Sequence, residues 1–216
     1  ITFLDFGMEN QERVWDEIAA SWKTFRTKAR EDVANFLNNK SGNILDLGCG
    51  SGRNFAKIDG IIYGVDFSEK MLEFARQKIK SEGIKAKLIK SDAFNLPFDD
   101  NFFDAAIFVS SLTCIPLEKN RKKSLEELYR VLKSGSEVLI SVWDSNQERF
   151  KESGKESFVP WKQNGKEQMK YYYLYSKNEL KELLEKVGFE IVKIRDSKNL
   201  DAFYSQKNID VVAKKP

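Results

Sequence analysis

Three glycines and one acid crowd into "NILDLGCGSGRNF", residues 43–55. Gly48, Gly50 and Gly52 follow an apolar run and let something approach the backbone closely where a strand turns. Dinucleotides and S-adenosylmethionine both need such an approach. The spacing here is GxGxG, not the GxGxxG of pyrophosphate sites. Asp46, two residues before the first glycine, would repel a pyrophosphate but suits a ligand carrying an ammonium and a sulfonium. The loop is shaped for a cationic adenosyl ligand.

Two more acids lie where that ligand needs them. Asp66 closes "GIIYGVD", placed to accept both ribose hydroxyl protons. Asp92 in "KSDAF" is placed to take the exocyclic amine of adenine, and Phe67 and Met71 to pack the adenosine faces. One acid at a strand end is as easily a helix cap; three at successive strand ends beside a glycine loop read as a binding site. Composition excludes other chemistries. The 216 residues contain no histidine, which rules out Ser-His-Asp triads, Cys-His dyads and histidine-ligated zinc. The two cysteines, Cys49 and Cys114, lack metal-ligand spacing and point to a reducing cytosol, hence a cytoplasmic protein. No metal site is expected.

These acids need strands that end side by side. "ENQERVWDEIAASWKTF" sets Val14, Trp15, Ile18, Ala19 and Trp22 at helical spacing, and "KAREDVANFLNN" reads as a second helix ended by Ser41-Gly42. Alternation then begins. "NILDL" reads as strand, "GRNFAKI" as a short helix and "GIIYGVD" as strand. "SEKMLEFARQKIKSEG" is a helix with Ser68 as its N-cap and Gly83 past its end. "KAKLIKSD" and "NFFDAAIFVSS" are strands, "LEKNRKKSLEELYRVLKSG" a helix and "EVLISVW" a strand. Strands alternating with helices predict an α/β fold, Rossmann-like, with a parallel sheet covered on both faces.

Residues 145–175 break this pattern. They are polar and Lys-rich, carry Phe158, Trp161 and a tyrosine cluster, and are expected as an insertion over one edge of the sheet. "SKNELKELLEKVGF" resumes the helices, and "FEIVKIRDS" and "NIDVVAKK" read as an antiparallel pair joined across residues 197–207. The expected organisation is one domain, 1–216. It comprises an N-terminal helical cap (1–41), a cofactor-binding core (42–144), a substrate-side insertion (145–175) and a C-terminal helix with a strand hairpin (176–216). Met8 reads as the natural start, with residues 1–7 extraneous. No apolar run approaches the ~20 residues that span a bilayer, so a soluble protein is expected. Net charge is +3, split as −1 over residues 1–150 and +4 over 151–216, so the last third is the side suited to a polyanion.

Over residues 42–144 the stretches "ILDLGCGSGRNF", "GVDFSEKMLEFAR", "SDAFNLPFDDNFFDAAIF" and "ELYRVLKSGSEVLISVW" resemble the class I S-adenosylmethionine-dependent methyltransferases. The resemblance implies a seven-stranded, mostly parallel sheet with an antiparallel last strand, and S-adenosyl-L-methionine as cofactor. It implies a cofactor site made of Asp46, Gly48, Cys49, Gly50, Gly52, Arg53, Asp66, Phe67, Ser68, Met71, Ser91, Asp92, Ala93 and Val109.

The flanks resemble the tRNA methyltransferases that esterify 5-carboxymethyluridine at the wobble position. Arg26 and Lys28 match that family's Arg-x-Lys element, and Trp143 with Gln147 its Trp-containing strand. Phe158 to Trp161 match a Phe-Val-Pro-Trp segment, and Lys170 to Tyr172 a basic-Tyr-Tyr segment. This implies Arg26 and Trp161 as catalytic residues, and Lys28, Trp143, Gln147, Lys170 and Tyr172 as substrate-binding ones. Arg26 or Lys28 would grip a carboxylate or phosphate; Trp161 and Tyr172 would stack a splayed anticodon base. The chain departs from the family at Thr113-Cys114, where a His pair is usual.

Chemistry bears on the acceptor. A carboxylic acid with a pKa near ~4 is already an anionic nucleophile at neutral pH. Methylating it needs positioning and no general base, which a histidine-free chain can supply. The class motifs equally allow a small-molecule methyltransferase acting on a quinone precursor or carboxylic acid, and Thr113-Cys114 allows an inactive adenosyl-binding subunit. The resembled tRNA family works with a small zinc-binding activator protein that docks by adding a strand. "KAKLIKS" is the expected third strand and sheet edge, which makes residues 85–90 the expected docking site.

Overall fold

The computed structural model describes residues 11–25, 27–152, 154–163, 165–198 and 207–216. Two helices come first, α1 (Gln11–Phe25) and α2 (Glu31–Asn38). There follow β1 (Ser41–Leu47), β2 (Asp59–Asp66), α3 (Glu69–Glu82), β3 (Ala86–Lys90) and β4 (Phe103–Val109). Next come α4 (Glu118–Val131), β5 (Leu132–Trp143), and a hairpin of β6 (Glu156–Gln163) and β7 (Lys166–Tyr173). The chain ends with α5 (Lys177–Val187), β8 (Glu190–Lys198) and β9 (Lys207–Lys214).

Seven strands form one sheet in the order β3-β2-β1-β4-β5-β9-β8. β9 runs antiparallel to both its neighbours and every other pairing is parallel. This is the expected seven-stranded arrangement with its antiparallel last strand. The pleat sends alternate residues to opposite faces. Leu45 and Leu47 pack with Leu125 and Leu128 of α4 and with Leu180 and Leu184 of α5. Ile44 points the other way, onto Val33 and Leu37 of α2. Leu72 and Ala75 of α3 pack over Ile62 of β2. Helices cover both faces.

Local signals account for the helix ends that matter. Ser68 accepts from the Met71 N–H at the start of α3, and Gly83 ends it at φ 63°. A capping box of Ser176 and Glu179 opens α5, and Gly188 at φ 112° closes it.

Two expectations need correction. The predicted short helix "GRNFAKI" is absent: residues 51–54 are turns and 55–58 carry no regular structure. Left-handed Gly50 and Gly52 impose successive tight turns, with Gly52 N–H bonded to Cys49 O and Phe55 N–H to Gly52 O. The 145–175 segment lies on neither edge strand. Its hairpin packs against α1 and against the turn Leu112–Cys114 after β4, because its aromatic side chains complete the apolar clusters there.

Candidate cofactor and acceptor site

The ends of β1, β2 and β4, the segment after β3 and helix α1 line a partly open cavity, the kind of concave site that small ligands occupy. Of the expected cofactor residues, Gly48, Cys49, Gly50, Arg53, Asp66, Phe67, Met71, Ser91, Asp92, Ala93 and Val109 line it. Asp46, Gly52 and Ser68 stand behind the wall.

The glycines divide their work. A Cβ on Gly48 would fall 2.3 Å from the Ser111 hydroxyl, and one on Gly52 would fall 2.8 Å from the Phe55 ring. Those two glycines admit the chain's own side chains. A Cβ on Gly50 would meet nothing within 4 Å, so here the backbone borders open space.

Polar groups around the loop fit a cation. Asp46 is 1% exposed, and neither of its carboxylate oxygens finds a hydrogen-bond donor within ordinary reach. Burial pushes its pKa up to about 7; Arg53 and neighbouring Asn54 pull the other way and Asp66 adds to the rise. The Asn54 side-chain oxygen is also buried without a donor. Asp66 accepts from Gly50 N–H at 2.8 Å and Ser68 N–H at 2.9 Å. Desolvation raises it to about 6 against those two bonds. Burial also raises Asp92, with Glu12 adding to the effect. Buried acceptors in the wall of a cavity (Asn54, Asp66) and just behind it (Asp46) call for a ligand with donors and positive charge. A pyrophosphate would worsen this site; the ammonium and sulfonium of S-adenosylmethionine, with its ribose hydroxyls, fit it.

Helix α1 roofs the cavity, with Trp15 and Trp22 in its wall. Asp16 fastens this roof to the start of α3, accepting from the Ser68 hydroxyl at 2.6 Å and Lys70 N–H at 3.1 Å. Ser68 thus caps a helix and anchors the roof. Gln11 clamps α1 to β7 by donating to Met169 O (3.2 Å) and accepting from Tyr171 N–H (2.9 Å).

The expected acceptor-side residues fall into two groups. Trp161 is buried, packs against Trp22 with ring centroids 5.2 Å apart and planes tilted by 58°, and donates from Nε1 to the Ser21 hydroxyl at 2.9 Å. Lys170, fully buried, sets its Nζ 4.6 Å from the Trp161 ring, 4.7 Å from Trp22 and 5.4 Å from Tyr172. Deeper in, Trp143 and Tyr172 stack at 3.8 Å and 8°, packed with Phe150. Gln147 donates to Asp144 O at 2.9 Å. Lys28 is exposed between α1 and α2, outside the cavity wall, and Arg26 lies outside the described residues. Thr113 donates to Tyr173 O, tying the turn after β4 to the hairpin. Cys114 lines the cavity and packs against both aromatic groups.

Sequence reasoning missed Trp15, Trp22, Asn54, Ser110, Ser111 and Cys114 as wall residues. The tryptophans were visible only as the apolar face of a helix. Ser110 and Ser111 end β4 in no motif, and nothing in their neighbours marks them.

The Methyltransferase domain family matches residues 45–140. The tRNA (carboxymethyluridine(34)-5-O)-methyltransferase of Arabidopsis thaliana is 37% identical over 63% of this chain and 33% of its own length. The Schizosaccharomyces pombe protein of the same name is 27% identical over 98% of this chain and 99% of its own. The 2-phytyl-1,4-naphtoquinone methyltransferase of Nostoc punctiforme is 37% identical over 60% of this chain and 53% of its own. The chain therefore spans a third of the Arabidopsis relative and about half of the Nostoc one. Among solved structures, a SAM-dependent methyltransferase from Methanosarcina mazei superposes with a TM-score of 0.74 at 23% identity, over 87% of this chain and 98% of that one. A complex of the Haloferax volcanii Trm112 methyltransferase activator with a candidate methyltransferase matches at 0.68 and 18%, over 94% and 97%.

Fold, glycine loop and acid-lined cavity resemble those of the class I S-adenosylmethionine-dependent methyltransferases, and the matched stretch is a methyltransferase domain. Within that class, the chain resembles the tRNA carboxymethyluridine methyltransferases. Among the described residues no helix is long and apolar enough to cross a membrane.

Proposed function

We propose that this protein is a cytoplasmic S-adenosylmethionine-dependent methyltransferase that esterifies the carboxylate of 5-carboxymethyluridine at the tRNA wobble position. The observation that carries the acceptor is the reach of the S. pombe similarity, which runs over 98% of the chain and so includes α1, which roofs the cavity, and the hairpin packed against it. S-adenosylmethionine supplies an electrophilic methyl. The chain's part is to hold its cationic end over Asp46 and its ribose against Asp66. It then presents the acceptor oxygen in line, a step that needs alignment but no proton transfer. Trp161, Lys170 and Tyr172 lie behind the wall residue Trp22 and are assigned to support of the acceptor side. Lys28, exposed after α1, is assigned to the RNA backbone together with Arg26, which lies outside the described residues.

One observation favours a second reading. Trp15, Trp22, Phe94, Phe108 and Ile115 give the cavity an apolar side that would also suit a naphthoquinol, as in the Nostoc relative's name. Methyl transfer from labelled cofactor to bulk tRNA and to a naphthoquinol separates the two; label in tRNA alone supports the first.

The proposed partner is a small activator protein added as a strand at β3. Among the described residues this strand pairs only with β2, which leaves its other edge without a strand, and Lys87 and Lys90 are exposed. Co-purification with an activator from the same organism, lost in Leu88→Pro while cofactor binding persists, tests that surface.

A further inference from the structure

Among the described residues, three other than glycine adopt positive φ: Asn101, Ser110 and Leu117. Asparagine tolerates that region and serine does so poorly. Of the three, only Ser110, at φ 56°, lines the cofactor cavity. The chain holds it there from both sides: its N–H donates to Ser141 O at 2.8 Å, and the Cys114 thiol donates to its carbonyl at 3.3 Å. The next residue is fixed as well, since the Ser111 hydroxyl donates to Gly48 O at 3.0 Å. Ser110 therefore sits beside the glycine loop, directly after β4. Its own hydroxyl has no hydrogen-bond partner among the described residues, and the residue is half-buried in the wall. A left-handed serine kept at a cavity wall, with its hydroxyl unspent, signals a strained backbone held for a purpose.

We propose that Ser110 is a specificity-determining residue for the acceptor, donating its hydroxyl hydrogen bond to the acceptor's non-reacting oxygen. This rests on the methyl-transfer reading above. For a carboxylate, one oxygen would be held by Ser110 and the other left free to attack along the methyl–sulfur axis. For a naphthoquinol, the same hydroxyl would meet the ring oxygen that is not methylated. The class of acceptor is then one with two oxygens, of which one is anchored.

Two substitutions separate strain from contact. Ser110→Gly relieves the backbone and removes the hydroxyl; Ser110→Ala removes the hydroxyl and keeps the strain. The melting temperature is expected to rise in the glycine variant relative to the alanine variant. Both variants should lose at least tenfold in kcat/KM for whichever acceptor the wild type methylates, tRNA or naphthoquinol, with cofactor Kd within twofold of wild type. A residue with a purely structural role would leave the glycine variant fully active. Full acceptor kcat/KM in either variant overturns the proposal while leaving the methyl-transfer reading intact. A wild type that methylates neither acceptor overturns that reading and this proposal with it.

Discussion

The two sides of the cavity are built by different means. On the cofactor side, strand ends of a parallel sheet deliver Asp46, Asp66 and the glycine loop, and the Gly50 and Ser68 N–H groups hold Asp66 in place. On the proposed acceptor side, α1 and the β6–β7 hairpin packed behind it come from distant parts of the chain. Rings and side-chain clamps join them to each other and to β5: Trp22 on Trp161 and Gln11 on β7, and Trp143 of β5 on Tyr172. The first side is set by topology, the second by packing. Damage should therefore separate cleanly, with cofactor-side changes altering affinity and acceptor-side changes altering stability and turnover.

The largest effect is expected from Trp161→Ala. Emptying a buried tryptophan site typically costs about 3–5 kcal/mol, and this one also removes the bond to Ser21. Chemical denaturation should show a loss of that order. Acceptor turnover should be abolished, with cofactor affinity changed only a few-fold at temperatures where the variant is folded. Trp161→Phe should lose only about 1 kcal/mol, the worth of one hydrogen bond. Full activity on the acceptor in Trp161→Ala would show that the roof does not serve the acceptor.

Asp66→Ala should behave in the opposite way. It removes the partner for the ribose, at roughly 1.5–3 kcal/mol per charge-assisted bond, so S-adenosylmethionine affinity should fall more than tenfold by calorimetry. Fold stability should fall far less than in Trp161→Ala, because the lost carboxylate was itself disfavoured by burial. NADH should bind neither form. Tight NADH binding to the wild type would contradict the reading of the glycine loop.

A smaller effect is expected from pH. Burial raises Asp46 to about 7 and Asp66 to about 6, above their range in the unfolded chain. The folded protein then holds protons that the unfolded chain has released, so its stability from these groups falls as pH rises from about 4 to 7. A cationic ligand favours the ionised acids. Its affinity should therefore rise over the upper part of that range, by roughly tenfold between about pH 6 and pH 8 if Asp46 must be ionised. Melting curves and calorimetry across pH should show opposite slopes for free protein and for cofactor affinity. Asp46→Asn should flatten the affinity slope.

The same contrast explains what could be read in the sequence. Asp46, Asp66, Asp92 and the glycines sit at strand ends whose periodicity is plain, and local spacing carries the information. "GRNFAKI" misled because its apolar residues match a helix while Gly50 and Gly52 turn the chain too tightly to start one. The place of residues 145–175 depended on which rings would meet. No local pattern tells Trp161 that it will lie against Trp22, or Tyr172 that it will lie against Trp143. Ser110 was invisible for a related reason: its significance is a backbone angle and a neighbour, and neither is written in its residue type.

The most direct measurement is the identity of the product. tRNA treated with the protein and labelled S-adenosylmethionine, with and without an activator partner, would be digested to nucleosides and analysed by mass spectrometry before and after mild alkali. Label in one nucleoside, 5-carboxymethyluridine heavier by one methyl, lost in alkali as an ester must be, is the predicted result. Label that survives alkali, or label found only in a naphthoquinol and never in tRNA, would contradict it.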